Sequence, residues 1–155
     1  MTLTSPSFAP GGEIPGRHTC QGQDVSPALT WADVPTGAET LALVVDDPDA
    51  PDPAAPKTTW VHWVVFDIPA TATGLPEGAG AGPPAGARCA KNDWGRAAWG
   101  GPCPPVGRHR YFFKLYALDV SLPHERVTTK ADLEKAMHGH VLASAQLMGT
   151  YEKSP

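Results

Sequence analysis

Cysteine is scarce and unpatterned in this chain. Cys20, Cys89 and Cys103 stand far apart among 155 residues, an odd number with no Cys-x-x-Cys pair, so the spacing signals neither a disulfide framework nor a zinc knuckle. That reading points to a reducing compartment. Cationic charge is also short. Twelve Lys and Arg against sixteen Asp and Glu leave a net charge of −4, without the basic footprint that neutralises a phosphate backbone, so nucleic acid is not an expected partner. No apolar run approaches membrane-spanning length, and MTLTSPSFAPGGEIP lacks the charged start and continuous apolar core of a secretory leader. The expectation is a soluble cytoplasmic protein with no integral membrane segment. Nucleotide-binding motifs such as a P-loop are absent. Ser26, Ser121 and Ser144 sit in poor contexts for activation as nucleophiles, so an enzyme is not expected.

Proline and glycine are abundant instead, at eighteen and sixteen residues. With 41% hydrophobic residues and five tryptophans, the chain reads as a loop-rich globular protein, one domain over residues 1–155 with a core between two packed layers. LALVV (41–45), WVHWVVF (60–66) and YFFKLYAL (111–118) are β-type runs bounded by Pro, Gly or Asp, which predicts a mainly β, mostly antiparallel fold. SPALTW (26–31) and residues 2–8 are weaker, edge-like strands. The Gly, Pro and Ala-rich segment 70–107 carries Trp94 and Trp99, costly to leave in water, and reads as a packed loop. TKADLEKAMHGH predicts one short helix, capped by Thr129 with Asp132 at its third position. After Gly139 the pattern fits either a helix or a strand; a break at Gly139 and a closing strand is the preferred reading.

Candidate chemistry concentrates at strand ends. In WVHWVVF, alternation places Trp60 and His62 on one side and Val61, Trp63 and Val65 on the other; in GRHRYFF, His109 and Tyr111 share a face. Each histidine–aromatic pair opens its strand beside a Pro-rich loop, DDPDAPDPAAPKTT or GGPCPPVGR, and pockets at a sheet rim are built from such ends. Asp46 and Asp52 read as loop or surface charges.

Asp-Pro-Asp-Ala-Pro at 47–51, Trp-x-His at 60–62, Gly-Pro-Cys-Pro-Pro at 101–105 and Gly-x-His-Arg-Tyr-x-Phe at 107–113 resemble the phosphatidylethanolamine-binding protein family in its bacterial and archaeal Raf-kinase-inhibitor-like branch. SPALTW, NDWG (92–95) and GHVLASAQLMGTY (139–151) extend the likeness over nearly the whole chain. The resemblance implies a large antiparallel sheet backed by a smaller one, few short helices, and a small anion-binding pocket at one rim. By motif position the implied pocket residues are Asp47, Asp49, Pro51, Trp60, His62, His109 and Tyr111, with Gly101 and Pro102 from the proline-rich loop. It also suggests a cis peptide at Ala50–Pro51 and a non-prolyl one near Thr58–Thr59.

On this reading a phosphate-type anion or phospholipid head group sits between His62 and His109, with Tyr111 and backbone N–H groups of the Gly101 loop as donors and Trp60 as an apolar wall. Asp47 holds a histidine tautomer, accepts from a protonated phosphate oxygen or pairs with an amine. Arg110, alternating away from His109, reads as a structural clamp, and Asp49 as a brace of its loop. Cys103 is either an oxidation-sensitive thiol or a structural cysteine. No cofactor is expected. Two rivals stay open: a metal-dependent enzyme using Asp47, His62 and His109 as a two-histidine, one-carboxylate site, and a module that regulates a kinase or protease through the pocket rim. A homodimer through the Trp94–Trp99 region is a further expectation.

Overall fold

Apolar alternation folds the chain into two antiparallel sheets; the computed structural model describes all residues, Met1–Pro155. The larger sheet contains β3 (Thr40–Ala50), β4 (Thr58–Pro69), β6 (Arg88–Ala90), β7 (Arg108–Leu118) and β8 (Val141–Glu152), in the order β6-β4-β3-β7-β8. The smaller sheet orders β1 (Thr2–Thr4), β2 (Leu29–Ala32) and β5 (Gly74–Leu75) as β1-β2-β5. One helix, α1 (Lys130–Met137), completes the mainly β architecture that the sequence implied. No helix is long and apolar enough to cross a membrane.

The unbroken apolar run LALVV is explained by the place of β3 in the middle of the larger sheet, covered on both faces. Leu41, Leu43 and Val45 join Trp63, Val65, Phe113 and Leu115 in a core shared with Leu3, Leu29, Trp31 and Leu75 of the smaller sheet. Ala42 and Val44 turn the other way, into a second core with Val64, Phe66, Leu122 and the helix residues Leu133 and Met137.

The helix begins as its sequence predicts. Thr129 Oγ1 accepts from the Asp132 N–H, while Asp132 Oδ2 accepts from the Thr128 N–H and hydroxyl, satisfying donors that a helix start leaves unpaired. Gly139, at φ +83°, lies just past the helix end, a left-handed conformation glycine adopts without a Cβ penalty. The chain then returns as a strand, with Ala143, Ala145 and Leu147 alternating onto the first core. Segment 70–107 is ordered: it supplies β5 and β6, and Trp99 packs into the core, whereas Trp94 stays 43% exposed. With Trp99 buried, no continuous apolar surface runs from Trp94 to Trp99.

Two expectations are corrected. Cys20 and Cys103 form a disulfide across a sequence separation of 83 residues, leaving Cys89 free. Local spacing rules miss such a pair because the fold, not the motif, brings the loop after Gly16–His18 against the proline-rich loop. The premise for a reducing compartment goes with it. Ala50–Pro51 is cis, as the resemblance implied, and it is the one cis peptide of the chain, so Thr58–Thr59 is trans, the form that a non-prolyl bond takes at lowest cost.

Candidate ligand-binding pocket

Where the larger sheet reaches the proline-rich loops, a cavity of about 310 Å³ opens between Asp47, Pro51, Trp60, His62, His109 and Tyr111, with Trp94, Cys103, Pro104 and Pro105 completing its wall. Three neighbouring strands deliver the side chains. β3 brings Asp47, which is paired in register with Trp60 of β4, while β7 brings His109 and Tyr111. Strict alternation fails at one position, and that failure builds the site. Asp46 is opposite Val61 and Val45 is opposite Trp63, so His62 is an extra residue in β4. This β-bulge turns His62 to the same side as Trp63, where it meets Tyr111 edge-on at 5.2 Å, while Val61 stays with the second core. The expected opposition of His62 to Trp63 and Val65 is thereby corrected.

The apparent charge of the pocket largely cancels. His109 is fully buried and both its ring nitrogens meet oxygens: Nε2 lies 2.9 Å from the Val106 carbonyl and Nδ1 lies 2.6 Å from Asp47 Oδ2. A carbonyl only accepts, so Nε2 carries a proton, and the short contact to Asp47 requires a second one. The His109–Asp47 pair therefore has no net charge and does not repel an anion. Asp47 Oδ1 is also occupied, by the Asp49 N–H at 2.7 Å. His109 is a clamp on Asp47 rather than the ligand donor that the sequence suggested, because it has no N–H to spare.

His62 is different. Its Nδ1 lies 2.6 Å from the Gly100 carbonyl and so donates, while burial pushes its pKa below the ordinary histidine value despite the opposing pull of Gly100, Asp47, Asp46 and Asp24. The ring is accordingly neutral near pH 7, and Nε2 holds a lone pair with no protein partner. Tyr111 and Trp60 supply the complementary groups. Burial, followed by the charges of Asp47 and Asp49, pushes the Tyr111 hydroxyl far up, so it keeps its proton. Neither that hydroxyl nor Trp60 Nε1 has an acceptor within the protein, although buried donors are ordinarily paired.

Three expected pocket residues lie outside the cavity wall. The Asp49 carboxylate is occupied by the Arg110 N–H and Nε at 2.9 Å and by Nη2 at 2.8 Å, and those bonds hold its pKa below the usual carboxylate range. It braces the loop through Arg110. The Gly101 N–H donates to Asp24 Oδ1 at 2.8 Å, and the Pro102 carbonyl accepts from the Cys20 N–H at 3.1 Å, so both hold the proline-rich loop in place. A Cβ at Gly101 would stand 2.2 Å from both Asp24 Oδ1 and the His18 carbonyl. Gly101→Ala is therefore expected to displace the proline-rich loop and cost about 1–3 kcal/mol of stability, the range for overpacking, seen as a lower denaturation midpoint.

Sequence reasoning also missed residues. Asp24 was not singled out. Trp94, read as loop packing, as part of the NDWG motif and as dimer surface but not as a pocket residue, sits edge-on to Trp60 at 5.5 Å and to His62 at 5.1 Å; its signal is a tryptophan in a Gly-rich loop. Asp46 is no surface charge: it is 1% exposed on the other face of β3, paired with Lys114 at 3.0 Å and Lys130 at 2.8 Å. The proposed Asp47, His62 and His109 metal set does not fit, because both nitrogens of His109 are committed and no three His, Cys, Asp or Glu side chains are arranged to hold an ion.

The family model described as phosphatidylethanolamine-binding protein matches residues 4–152. The chain belongs to the phosphatidylethanolamine-binding protein family. It is 48% identical over 154 residues to a UPF0098 protein of Chlamydia pneumoniae, covering 99% of this chain and all of the relative. The crystal structure of the family homolog CT736 from Chlamydia trachomatis is similar at a TM-score of 0.90 and 43% identity, covering 99% of this chain and 97% of that one. The crystal structure of Escherichia coli YbcL, described as a new member of the mammalian PEBP family, is similar at a TM-score of 0.88 and 36% identity, with 99% and 98% covered. Membership supports ligand binding as a general role.

Proposed function

We propose that the pocket binds a small phosphate-type anion, free or as a phospholipid head group, and acts as a binding site rather than a catalytic one. The carrying observation is the unspent hydrogen-bonding set of Tyr111, Trp60 and His62 beside a His109–Asp47 pair of zero net charge. Tyr111 and Trp60 donate to phosphate oxygens, and His62 Nε2 accepts from a protonated one. If His62 gains the proton instead, it becomes a third donor. Either way the complex holds one proton more than a neutral His62 and a phosphate dianion.

The sign of the pH dependence follows. Phosphoethanolamine affinity is expected to fall by up to about tenfold per pH unit above pH ~6, the second ionisation of a phosphomonoester. Calorimetry from pH 5.5 to about 8 checks this, as the range spans that ionisation. Tyr111→Phe and His62→Ala are each expected to weaken binding about tenfold or more, the cost of a lost hydrogen bond to a charged group, and His62→Ala also to flatten the slope. Unchanged affinity in both variants would refute the assignment. Exposed Trp94 and Val106, at 43% and 51%, favour a further role in which the rim docks a protein such as a kinase or protease; phosphoethanolamine should then compete with that partner.

A further inference from the structure

Consecutive residues of β3 face opposite sides of the larger sheet, so Asp46 stands on the reverse of the pocket that Asp47 helps to build. On that reverse side lies a separate cavity of about 270 Å³, lined by Asp46, Thr59, Phe112, Lys114, Lys130 and Gln146. Four strands and the helix supply its wall. Phe112 and Lys114 alternate onto one face of β7, with Phe112 in register with Asp46 and Lys114 in register with Gln146 of β8. Thr59 comes from β4. Lys130 opens α1 and is held over the sheet by the Thr129 cap and by a bridge between Thr129 and Lys91.

The cluster holds more positive charge than its buried carboxylate requires. Asp46 is 1% exposed and needs a counter-charge. One lysine would cancel it, and two are present. Lys114 Nζ lies 3.1 Å from Oδ2 and 3.0 Å from Oδ1, and Lys130 Nζ lies 2.8 Å from Oδ2. An ammonium has three N–H groups, so even with two of Lys114 spent on the carboxylate, one remains there and two remain on Lys130. With side chains 29% and 21% exposed, both lysines stay reachable from solvent. Burial works against the charge of Lys130, but its hydrogen bond to Asp46 and the charge of that carboxylate outweigh it and hold the pKa above the ordinary lysine value. Neighbouring charges leave the excess in place. Arg110 stacks over Phe112 at 5.5 Å, yet its own charge is spent on Asp49. Glu134, one turn along α1 from Lys130, is exposed and lines a neighbouring depression rather than this one, where water and salt screen it.

We propose that this cavity is a second ligand site and that it takes a monocarboxylate carrying an apolar or aromatic substituent. The carboxylate bridges Lys114 and Lys130, with Thr59 and Gln146 beside it, and its single charge brings the site to neutrality. A dianion overshoots, leaving net negative charge next to Asp46. The buried carboxylate therefore both positions the lysines and selects against doubly charged anions. Phe112 and Pro48 form the apolar wall for the substituent. This site stands or falls independently of what the pocket at Asp47 binds.

Amide-resolved NMR titration with benzoate up to about 50 mM, which reaches dissociation constants in the millimolar range, tests the site at constant ionic strength. Expected are saturable shifts at Lys114, Lys130 and Gln146, with weaker binding of acetate, which lacks the ring, and of sulfate, which carries two charges. Lys114→Met and Lys130→Met each leave Asp46 one lysine partner. Each should weaken benzoate binding at least about tenfold, the cost of a lost hydrogen bond to a charged group, while phosphoethanolamine affinity stays the same. Asp46→Asn raises the net charge of the site, and sulfate should then bind at least as tightly as benzoate. The proposal is overturned by the absence of saturable shifts at these residues, by shifts confined to the pocket at Asp47, by unchanged benzoate affinity in both lysine variants, or by a preference of the unaltered chain for sulfate.

Discussion

Asp47→Ala is expected to cost the fold about 3–5 kcal/mol, the range for breaking one partner out of a buried ion pair. The substitution removes the only acceptor of His109 Nδ1 and also that of the Asp49 N–H. His109 can shed a proton and keep Nε2–H on Val106, but Nδ1 then faces a space with no donor. Asp47→Asn separates charge from hydrogen bonding: its oxygen still accepts from Asp49, and its amide can donate to a neutral His109. That variant should lose about 1 kcal/mol, the worth of an ordinary hydrogen bond. Urea denaturation at pH 7 measures both. A loss below about 1 kcal/mol for Asp47→Ala, within the range of a single neutral hydrogen bond, would remove the clamp from the account.

Reduction of Cys20–Cys103 should be nearly as costly, about 2–4 kcal/mol. The bond joins residues separated by 83 positions, so cutting it frees a long loop in the unfolded chain, and longer loops gain more entropy. It also releases the pocket wall, since Cys103, Pro104 and Pro105 line the cavity. Denaturation with and without a dithiol should show the lower midpoint in the reduced protein, accompanied by weaker phosphoethanolamine binding. Cys89→Ser, outside the bond, should leave the reductant effect intact. Coincident denaturation curves for the oxidised and reduced chain would contradict this role. In a reducing compartment such a bond does not persist, so the protein would work there with the looser wall.

The parts of this molecule legible in the sequence are those set by local chemistry. LALVV, WVHWVVF and YFFKLYAL became β3, β4 and β7 because β-branched and aromatic residues suit a covered sheet. Thr129 and Asp132 started α1 through a cap contained within a few residues. Clustering of Asp47, Trp60, His62, His109 and Tyr111 followed from their places at strand ends, together with the family likeness. What escaped depended on contacts distant in sequence. The bulge at His62 arises from register against β3, and period-two reasoning cannot see an added residue. The Cys20–Cys103 bond and the Gly101–Asp24 hydrogen bond tie loops whose encounter only the completed fold decides. Asp46 looked like a turn charge because its lysine partners lie 68 and 84 residues away.

The same distinction reorganises the site. From sequence, two histidines looked equivalent, each a possible donor to an anion. Their hydrogen-bond partners divide the work: His109 is saturated by Asp47 and Val106, whereas His62 uses one nitrogen on Gly100 and keeps the other free. Burial sharpens the division by keeping His62 neutral until something supplies a proton. As pH falls below about 6.5, the ordinary histidine value, the unfolded chain takes up a proton at this position before the native one does. The His62 contribution to stability is therefore present above that pH and lost below it.

Nitrogen-15 NMR of the histidine rings during a phosphoethanolamine titration tests the division directly. His62 Nε2 should begin as an unprotonated nitrogen and move toward a protonated or strongly hydrogen-bonded signal as the pocket fills, while both nitrogens of His109 keep their signals. A titration in which His109 responds and His62 Nε2 stays unchanged would contradict the account.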